Sequence, residues 1–250
     1  MLTLPQTIDV VCAALALNNS ITAPSEVMRH GPLWILRDVN AKLDKARTEE
    51  IFAWGATPQE SIRAVKDYAP RYKYVLLPFI KPDEDFDAIR EVYKSLGYRA
   101  MSSETLFVCS LGRHKPTPSR WVIRRVKEPD EMKRVATDVF GRANRKLRPQ
   151  DFTDARPAMR MYYAEVDGRA VAVARSLMPR RSVSWLHDVR TVESYRRRGI
   201  ATALINQILT DDAALGSKHS ALLASHAGAN LYPLLGYQLR AILQLYAPPR

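Results

Sequence analysis

The sequence predicts an α/β fold in which helices flank a mixed central sheet, arranged as two related parts. Short apolar runs typical of strands alternate with amphipathic, helix-like runs along the 250 residues. Asp167-Gly168 stands between two strand-like runs and favours a two-residue hairpin turn, because both residues accept positive φ. The segments Tyr93–Tyr98 and Tyr232–Tyr237 share the pattern Tyr-x-x-Leu-Gly-Tyr, which indicates an internal repeat.

The order of elements in the second half supports this fold class. A strand at 121–126 precedes a helix that begins near Pro129, has acidic residues in its first turn and ends at Gly141. A polar loop is expected over 142–157. The remaining predicted elements are two hairpin strands within 159–177, strands at 183–192, 221–225 and 239–246, a helix from about Gly199 and a short helix within 228–237.

The first half is also predicted to alternate helices and strands. Its expected elements are a helix at about 5–18, strands at 32–39 and 49–54, a helix at 57–69, a strand at 73–80, a helix at 85–98 and a strand at 103–111. No early strand pair is expected in this half.

The stretch GRHKPTPSR at 112–120 contains two prolines and no apolar run, which predicts a linker. We therefore expect a lobe at 1–112, a linker at 113–119 and a second domain at 120–250. The two tyrosine segments are followed at equal spacing by Leu106-Phe107 and Leu245-Tyr246, so the lobes are interpreted as products of a duplication. An unrelated α/β domain at 1–112 is the alternative.

Positive charge is concentrated in the second half. Residues 1–118 carry 15 Lys and Arg against 14 Asp and Glu, whereas residues 119–250 carry 23 against 12. This asymmetry indicates an anionic partner, such as nucleic acid, an acidic membrane surface or a phosphate-bearing cofactor. Arginines within 142–160 and 175–198 could line a phosphate track, so a nucleic-acid-binding module is one alternative function.

Other features restrict the class of protein. No apolar run approaches the roughly 20 residues that span a bilayer, and residues 1–20 carry no Lys or Arg, so neither membrane association nor a signal peptide is expected. Cys12 and Cys109 lie in apolar surroundings without neighbouring metal ligands, which predicts free thiols and no metal site. A cytoplasmic protein is expected, and its oligomeric state is left open.

Three arginines and a glycine mark the start of the helix near Gly199, in the sequence RRRGIA at 196–201. The first turn of a helix has unpaired N–H groups and a partial positive charge, and therefore binds anions. Gly199 lets the backbone approach a ligand closely, and guanidinium groups donate bidentate hydrogen bonds to phosphate. The spacing suits a diphosphate group; a solvated surface loop is the alternative.

This loop and the later segment NLYPLLGY, in the order strand–loop–helix–strand, make residues 120–250 resemble the GNAT superfamily of acyl-CoA-dependent N-acetyltransferases. The resemblance implies an N-acyltransferase that uses acetyl-CoA as co-substrate and a small-molecule or peptide amine as acceptor. An acetyltransferase acting on a nucleic-acid-linked amine and a catalytically inactive CoA-binding regulator are further alternatives.

The resemblance also implies which residues form the site. Backbone amides from Arg197 to Thr202 would hold the CoA diphosphate, and the backbone of Val189 and Thr191 would pair with the pantetheine arm. Tyr232 would be the general acid, although it could instead be a core aromatic residue. The residues expected to bind the co-substrate are Val189, Arg190, Thr191, Arg196, Arg197, Arg198, Gly199, Ile200, Ala201, Thr202 and Asn230, the last of which could instead cap the short helix.

The chemistry needs no covalent enzyme intermediate. An amine attacks the thioester carbonyl and a CoA thiolate leaves, so a phenol near pKa 10 can reprotonate the thiolate while a strand N–H stabilises the developing oxyanion. His187, Asp188 and Glu165 are the candidate general bases, with water as a fourth possibility. His187 and Asp188 are expected on opposite faces because strand side chains alternate.

Two positions depart from the family pattern, and the first half departs further. Ser225 stands where members often have Asn, and Glu193 where many have Pro. The corresponding loop of the first half, WGATPQES at 54–61, contains Gly55 but has no basic residue closer before it than Arg47. The first lobe is therefore expected to have lost cofactor binding, and Tyr93 is expected to be structural.

Overall fold

The computed structural model describes residues 2–39, 42, 46–112, 114–141, 158–180 and 182–249. Its elements, in chain order, are α1 (Leu4–Asn19), β1 (Ser25–His30), β2 (Leu33–Asp38), β3 (Glu49–Ala53), α2 (Pro58–Tyr68), β4 (Tyr74–Ile80), α3 (Phe86–Ser95), β5 (Arg99–Ser110), β6 (Val122–Arg125), α4 (Pro129–Phe140), β7 (Met159–Val166), β8 (Arg169–Arg180), β9 (Val183–Thr191), α5 (Ile200–Ala214), β10 (His219–Ala224) and β11 (Gln238–Ala247). Short 3₁₀ helices occupy Glu193–Tyr195 and Tyr232–Leu235. The mixed α/β fold class is confirmed, and the loop predicted at 142–157 lies outside the described residues.

The chain divides into two compact units. One consists of Val108–Leu222 and Leu231–Tyr237, and the other of Leu2–Phe107, Leu223–Asn230 and the segment from Gln238 onward. The last strand, β11, therefore belongs to the same unit as the first half of the chain, because it pairs with β4. The division into lobes at 1–112 and 120–250 stays a prediction.

The unit that contains the arginine loop has strands in the order β6-β7-β8-β9-β10. Neighbouring strands are antiparallel except β9 and β10, which run parallel. The predicted hairpin turn is confirmed, with φ of 48° at Asp167 and 74° at Gly168. The consecutive residues Met159–Ala164 of β7 are all buried, so both faces of the sheet are covered.

A buried ion pair ties α5 to this sheet. Arg160 on β7 and Asp212 on α5 pair with each other, and each side chain is 1% exposed. Ser176 on β8 donates its hydroxyl to the same carboxylate, with distances of 2.9 and 3.0 Å to the two oxygens. The charges are therefore hydrogen-bonded as well as paired, which a buried pair requires.

Asp212→Ala is expected to destabilise the fold strongly. The substitution leaves the Arg160 guanidinium buried without its counter-charge, a change that costs about 3–5 kcal/mol in comparable buried pairs. Urea unfolding followed by circular dichroism measures the free energy of unfolding. Asp130→Ala is the control, because among the described residues Asp130 pairs with Lys133 at an exposed position, and the substitution should leave that free energy almost unchanged. Equal stability of the two variants would contradict the assignment.

The other unit has strands in the order β1-β2-β3-β4-β11-β5. The expectation of no early strand pair was wrong, because β1 and β2 form an antiparallel hairpin. The β1 residues SEVMRH are at most half-buried, so this strand lacks the apolar run that predicts strands. Strands β1, β2 and β3 are antiparallel neighbours, and β3 and β4 run parallel. Strands β7, β8, β9 and β10 have the same sequence of orientations.

The two tyrosine segments have the same local geometry. Gly97 and Gly236 have φ of 84° and 82°, and the amides of Tyr98 and Tyr237 donate to the carbonyls of Tyr93 and Tyr232 at 3.0 and 3.1 Å. Each pair of rings meets edge to face, with centroids 6.2 and 5.6 Å apart. This similarity supports a duplication.

Two further expectations concern the thiols and the membrane. Cys12 and Cys109 are free and buried, as predicted. Across the described ranges, every helix is too short or too polar to cross a bilayer. The cytoplasmic location stays a prediction.

Candidate active site

The start of α5 presents a row of unpaired backbone amides. Gly199 is the N-cap residue with φ of 80°, and Arg197 also has a positive φ, 60°. Within the described part of the chain, no hydrogen-bond acceptor contacts the amides from Arg197 to Thr202, and the first helical bond here runs from Ala203 to the Gly199 carbonyl at 3.0 Å. These amides are available to an anion.

Neighbouring contacts fix the shape of this loop. The Trp121 indole N–H donates to the Arg198 carbonyl at 3.2 Å, and the Arg196 Nε donates to the Thr191 carbonyl at 3.2 Å. The 3₁₀ helix Glu193–Tyr195 carries the chain from β9 to the loop. The amide row is thus held by bonds that use none of its own N–H groups.

The loop is strongly basic. Arg196, Arg197, Arg198 and Arg190 are all exposed. The Arg198 guanidinium lies over the Tyr195 ring at 5.3 Å, and the Arg190 guanidinium over Phe140 at 5.2 Å. Gly199 is exposed as well, whereas Ile200 is buried and anchors the helix. Positive charge therefore surrounds the free amides.

Strand β9 separates from β10 just before it reaches this loop. The two strands pair only from Val183 with His219 to Trp185 with Ala221, in the described residues. Val189 and Thr191, both half-buried, lie beyond the last pair with β10; Thr191 pairs with Ala172 of β8, and Val189 lies where the register of β8 and β9 shifts. An extended chain such as a pantetheine arm can pair with the backbone edge that this separation leaves.

The separated part of β9 contains a bulge at Asp188. Val173 pairs with Arg190 and Arg175 with His187, so two steps along β8 match three along β9. Asp188 has φ of 51°. The expectation that His187 and Asp188 face opposite sides was wrong, because the bulge interrupts the alternation and brings His187 Nε2 to 3.6 Å from Asp188 Oδ1.

The candidate bases differ in their surroundings. Burial has the largest effect and lowers the pKa of His187; the Asp188 charge raises that pKa by less, and the Arg175 charge lowers it again by a smaller amount. Burial would raise the pKa of Asp188, but its ion pair with Arg175 holds that pKa below the usual value. Glu165 on β7 forms ion pairs with Arg124 at 3.3 Å and Arg134 at 3.8 Å, two strands away from β9.

Tyr232 opens the 3₁₀ helix that ends at Gly236. Its residue is 7% exposed, and burial raises the pKa of its phenol to about 12. Its ring meets the buried Tyr237, whose hydroxyl lies 2.8 Å from that of Ser220. Tyr232 therefore keeps its proton near neutral pH, and it is a weaker acid than the ordinary phenol expected from the sequence.

The remaining predicted positions are on the surface. Asn230 is exposed and does not cap the 3₁₀ helix, whose N-cap is Leu231 without a side-chain hydrogen bond. Ser225 is exposed, and its carbonyl accepts the Gly228 and Ala229 amides at 2.9 and 3.1 Å. Glu193 begins the 3₁₀ helix after β9. Neither departure from the family pattern disturbs the amide row.

The family model described as "Acetyltransferase (GNAT) family" matches residues 128–237, which contain the amide row, the bulge and Tyr232. Residues 128–237 form a GNAT acetyltransferase domain. This match supports acyl-CoA-dependent N-acyltransferase activity for the matched part of the chain. No curated protein matches the chain at a significant level.

Several solved structures have a fold similar to that of nearly the whole chain. A GCN5-related N-acetyltransferase from Kribbella flavida is 18% identical, with 96% of this chain and 95% of that one covered and a TM-score of 0.61. One from Sphaerobacter thermophilus is 16% identical, with 86% and 78% covered and a TM-score of 0.57. A tandem GNAT protein from the clavulanic acid biosynthesis pathway is 15% identical, with 93% and 87% covered and a TM-score of 0.53. None of these is described as a nucleic-acid-binding protein.

Sequence reasoning missed two residues of the unit that contains the arginine loop. Trp121, which fixes the loop through Arg198, belongs to no motif. Arg175 interrupts the apolar run of β8, and this charge was a signal that could have been followed. In the described ranges, no group of three or more His, Cys, Asp or Glu side chains is placed to hold a metal ion.

Proposed function

We propose that the protein transfers an acetyl group from acetyl-CoA to a primary amine of a small molecule or peptide, by direct attack of the amine on the thioester. The observation that carries this proposal is the row of unpaired amides from Arg197 to Thr202, at a helix start flanked by exposed arginines. Six N–H groups with adjacent guanidinium groups match a diphosphate, which has many acceptor oxygens and at least two negative charges.

The separated edge of β9 supports the position of the rest of the co-substrate. The backbone of Val189 and Thr191 lies between the amide row and the bulge, so a pantetheine arm bound there would lead from the diphosphate toward Asp188. The thioester would then lie near His187. Asn230 has an exposed side chain and is proposed as a further contact to the co-substrate.

We propose that the unit formed by the first half of the chain is related to the GNAT domain but does not bind CoA. The start of α2 is capped internally, because the Glu60 carboxylate accepts the Thr57 amide at 2.8 Å. A carboxylate at a helix start competes with any added anion. The relative from the clavulanic acid pathway is itself described as a tandem GNAT protein, which favours the two-lobe interpretation.

Tyr232 is proposed as the residue that donates to the departing CoA sulfur. Its phenol stays protonated because burial raises its pKa to about 12. A donor of this pKa stabilises a developing thiolate mainly through a hydrogen bond, since full proton transfer to a group of thiol-like basicity is unfavourable. Tyr93, its counterpart in the first lobe, is 1% exposed and stacks on Tyr246 at 4.4 Å, as a structural residue would.

His187 is the candidate base that its surroundings favour. Its pKa is lowered, so the imidazole is neutral near pH 7 and can accept the amine proton. Asp188 is a poor base because its charge is already compensated by Arg175. Glu165 is held by arginines near the edge strand β6.

The pH profile should report His187. The pKa of His187 in the folded protein lies below the usual value of 6.5. The neutral imidazole therefore persists at pH 6.5, and kcat should begin to fall only at lower pH. We expect His187→Ala to lower kcat and to remove this acidic limb. Thiol release at saturating acetyl-CoA, measured between pH 5 and 8, gives the profile. An unchanged limb in the variant would exclude His187 as the base.

Thermal-shift measurements test the proposed function. A ligand at about 100 times its dissociation constant stabilises the native state by about 2.7 kcal/mol, which raises the melting temperature by several degrees. Acetyl-CoA should produce this shift, and thiol release against a panel of amines should follow. If neither acetyl-CoA nor a longer acyl-CoA shifts the melting temperature or yields free thiol, the proposal is wrong.

A further inference from the structure

The bulge in β9 is joined to a buried charge on the neighbouring strand. Arg175 lies within β8, where the surrounding residues Ala170–Ala174 and Leu177 are buried and apolar, and its own side chain is 4% exposed. Its guanidinium forms an ion pair with the Asp188 carboxylate. An arginine is seldom buried among apolar residues unless a counter-charge compensates it.

This ion pair involves a residue with an unfavourable backbone conformation. Asp188 has φ of 51°, a left-handed conformation that a residue with a side chain seldom adopts within a strand. Arg175 is paired across the ladder with His187, the residue immediately before the bulge. The ion pair and the extra residue therefore occur at the same position of the ladder.

The same carboxylate connects the bulge to the candidate base. Asp188 Oδ2 binds Arg175, while Oδ1 lies 3.6 Å from His187 Nε2. At this distance the contact with His187 is electrostatic rather than a hydrogen bond. Fixing the carboxylate through Arg175 therefore also limits where the imidazole can settle.

We propose that Arg175 is a positioning residue for acyl transfer: its ion pair with Asp188 holds the β9 bulge and so sets both the backbone at Asp188–Val189 and the His187 side chain against the thioester. The proposal rests on the function proposed above. Since the pair carries no net charge, the effect of Arg175 is geometric, and it acts on reaction rate rather than on diphosphate binding. Misplacement of reacting groups by about 1 Å can cost about 100-fold in rate.

The test compares Arg175→Met, Arg175→Lys and the double variant Arg175→Met/Asp188→Asn with the wild type. The double variant removes both charges, so its melting temperature should recover relative to Arg175→Met. The rate of thiol release should nevertheless remain about 10- to 100-fold below wild type in both. Arg175→Lys retains the charge and should recover part of the rate. Arg169→Met, at the exposed start of the same strand, is the control and should match the wild type.

Two binding constants separate this proposal from the proposed function. The affinity for CoA should be almost unchanged in Arg175→Met, whereas the preference for acetyl-CoA over CoA should diminish, because only the thioester end meets the bulge. A rate that returns to the wild-type value in the double variant would show that Arg175 only supports the fold, and an unchanged rate in Arg175→Met would also overturn the proposal. If the wild type itself neither binds acetyl-CoA nor releases thiol, the proposed function fails and the role of Arg175 fails with it.

Discussion

Gly199→Glu should abolish measurable acetyl-CoA binding. Gly199 has φ of 80°, so any side chain strains the loop, and a carboxylate at this point repels the diphosphate from the amide row. Backbone strain and repulsion together should cost about 3 kcal/mol or more of binding free energy, which corresponds to a dissociation constant about 100-fold larger. Isothermal titration calorimetry with acetyl-CoA measures the change, and circular dichroism verifies that the fold is intact.

Gly55→Glu is the matched control for this substitution. Gly55 lies in the loop that we propose to correspond in the first half and has φ of 71°, and a Cβ at this position would meet no atom within 4 Å. The backbone penalty is therefore similar, but acetyl-CoA affinity should stay at the wild-type value. Wild-type affinity in Gly199→Glu, or loss of affinity in Gly55→Glu alone, would place the co-substrate elsewhere.

Tyr232→Phe should slow acetyl transfer while leaving acetyl-CoA binding intact. The substitution removes one hydroxyl from a buried ring and keeps its edge-to-face contact with Tyr237. General acid groups contribute about 100- to 10,000-fold to rates, and the raised pKa of Tyr232 places the expected loss in kcat near 100-fold. KM for acetyl-CoA should change little. Steady-state thiol release with an accepted amine measures both constants.

Tyr93→Phe controls for the loss of a buried phenol. Burial raises the pKa of Tyr93 to about 12 as well, and its ring meets Tyr98 as Tyr232 meets Tyr237. This variant should keep the wild-type kcat. A similar loss in both variants would assign Tyr232 a structural role, and an unaffected kcat in Tyr232→Phe would remove it from the chemistry.

Local signals explain why the loop and hairpin were predicted from the sequence. Gly199 after three arginines and Asp167-Gly168 between strand-like runs are short patterns whose conformations depend on neighbouring residues alone. The helix from Pro129 to Gly141 was predicted for the same reason, since proline favours the first turn and glycine the left-handed end.

Long-range contacts explain what the sequence did not reveal. The positive φ at Asp188 accompanies an ion pair with Arg175, 13 residues earlier on another strand, and nothing in the strand pattern of β9 indicates it. The pairing of β11 with β4 joins segments more than 150 residues apart. Strand β1 was missed because its residues are partly exposed and carry charges. Burial of Tyr232, which weakens it as an acid, likewise depends on the folded environment.

A crystal structure of the protein with acetyl-CoA tests the central claim most directly. We predict that the diphosphate oxygens lie within hydrogen-bond distance of the backbone amides between Arg197 and Thr202, with the pantetheine arm along Val189–Thr191. A diphosphate bound at the loop containing Gly55, or on surface arginines away from the start of α5, would contradict the account.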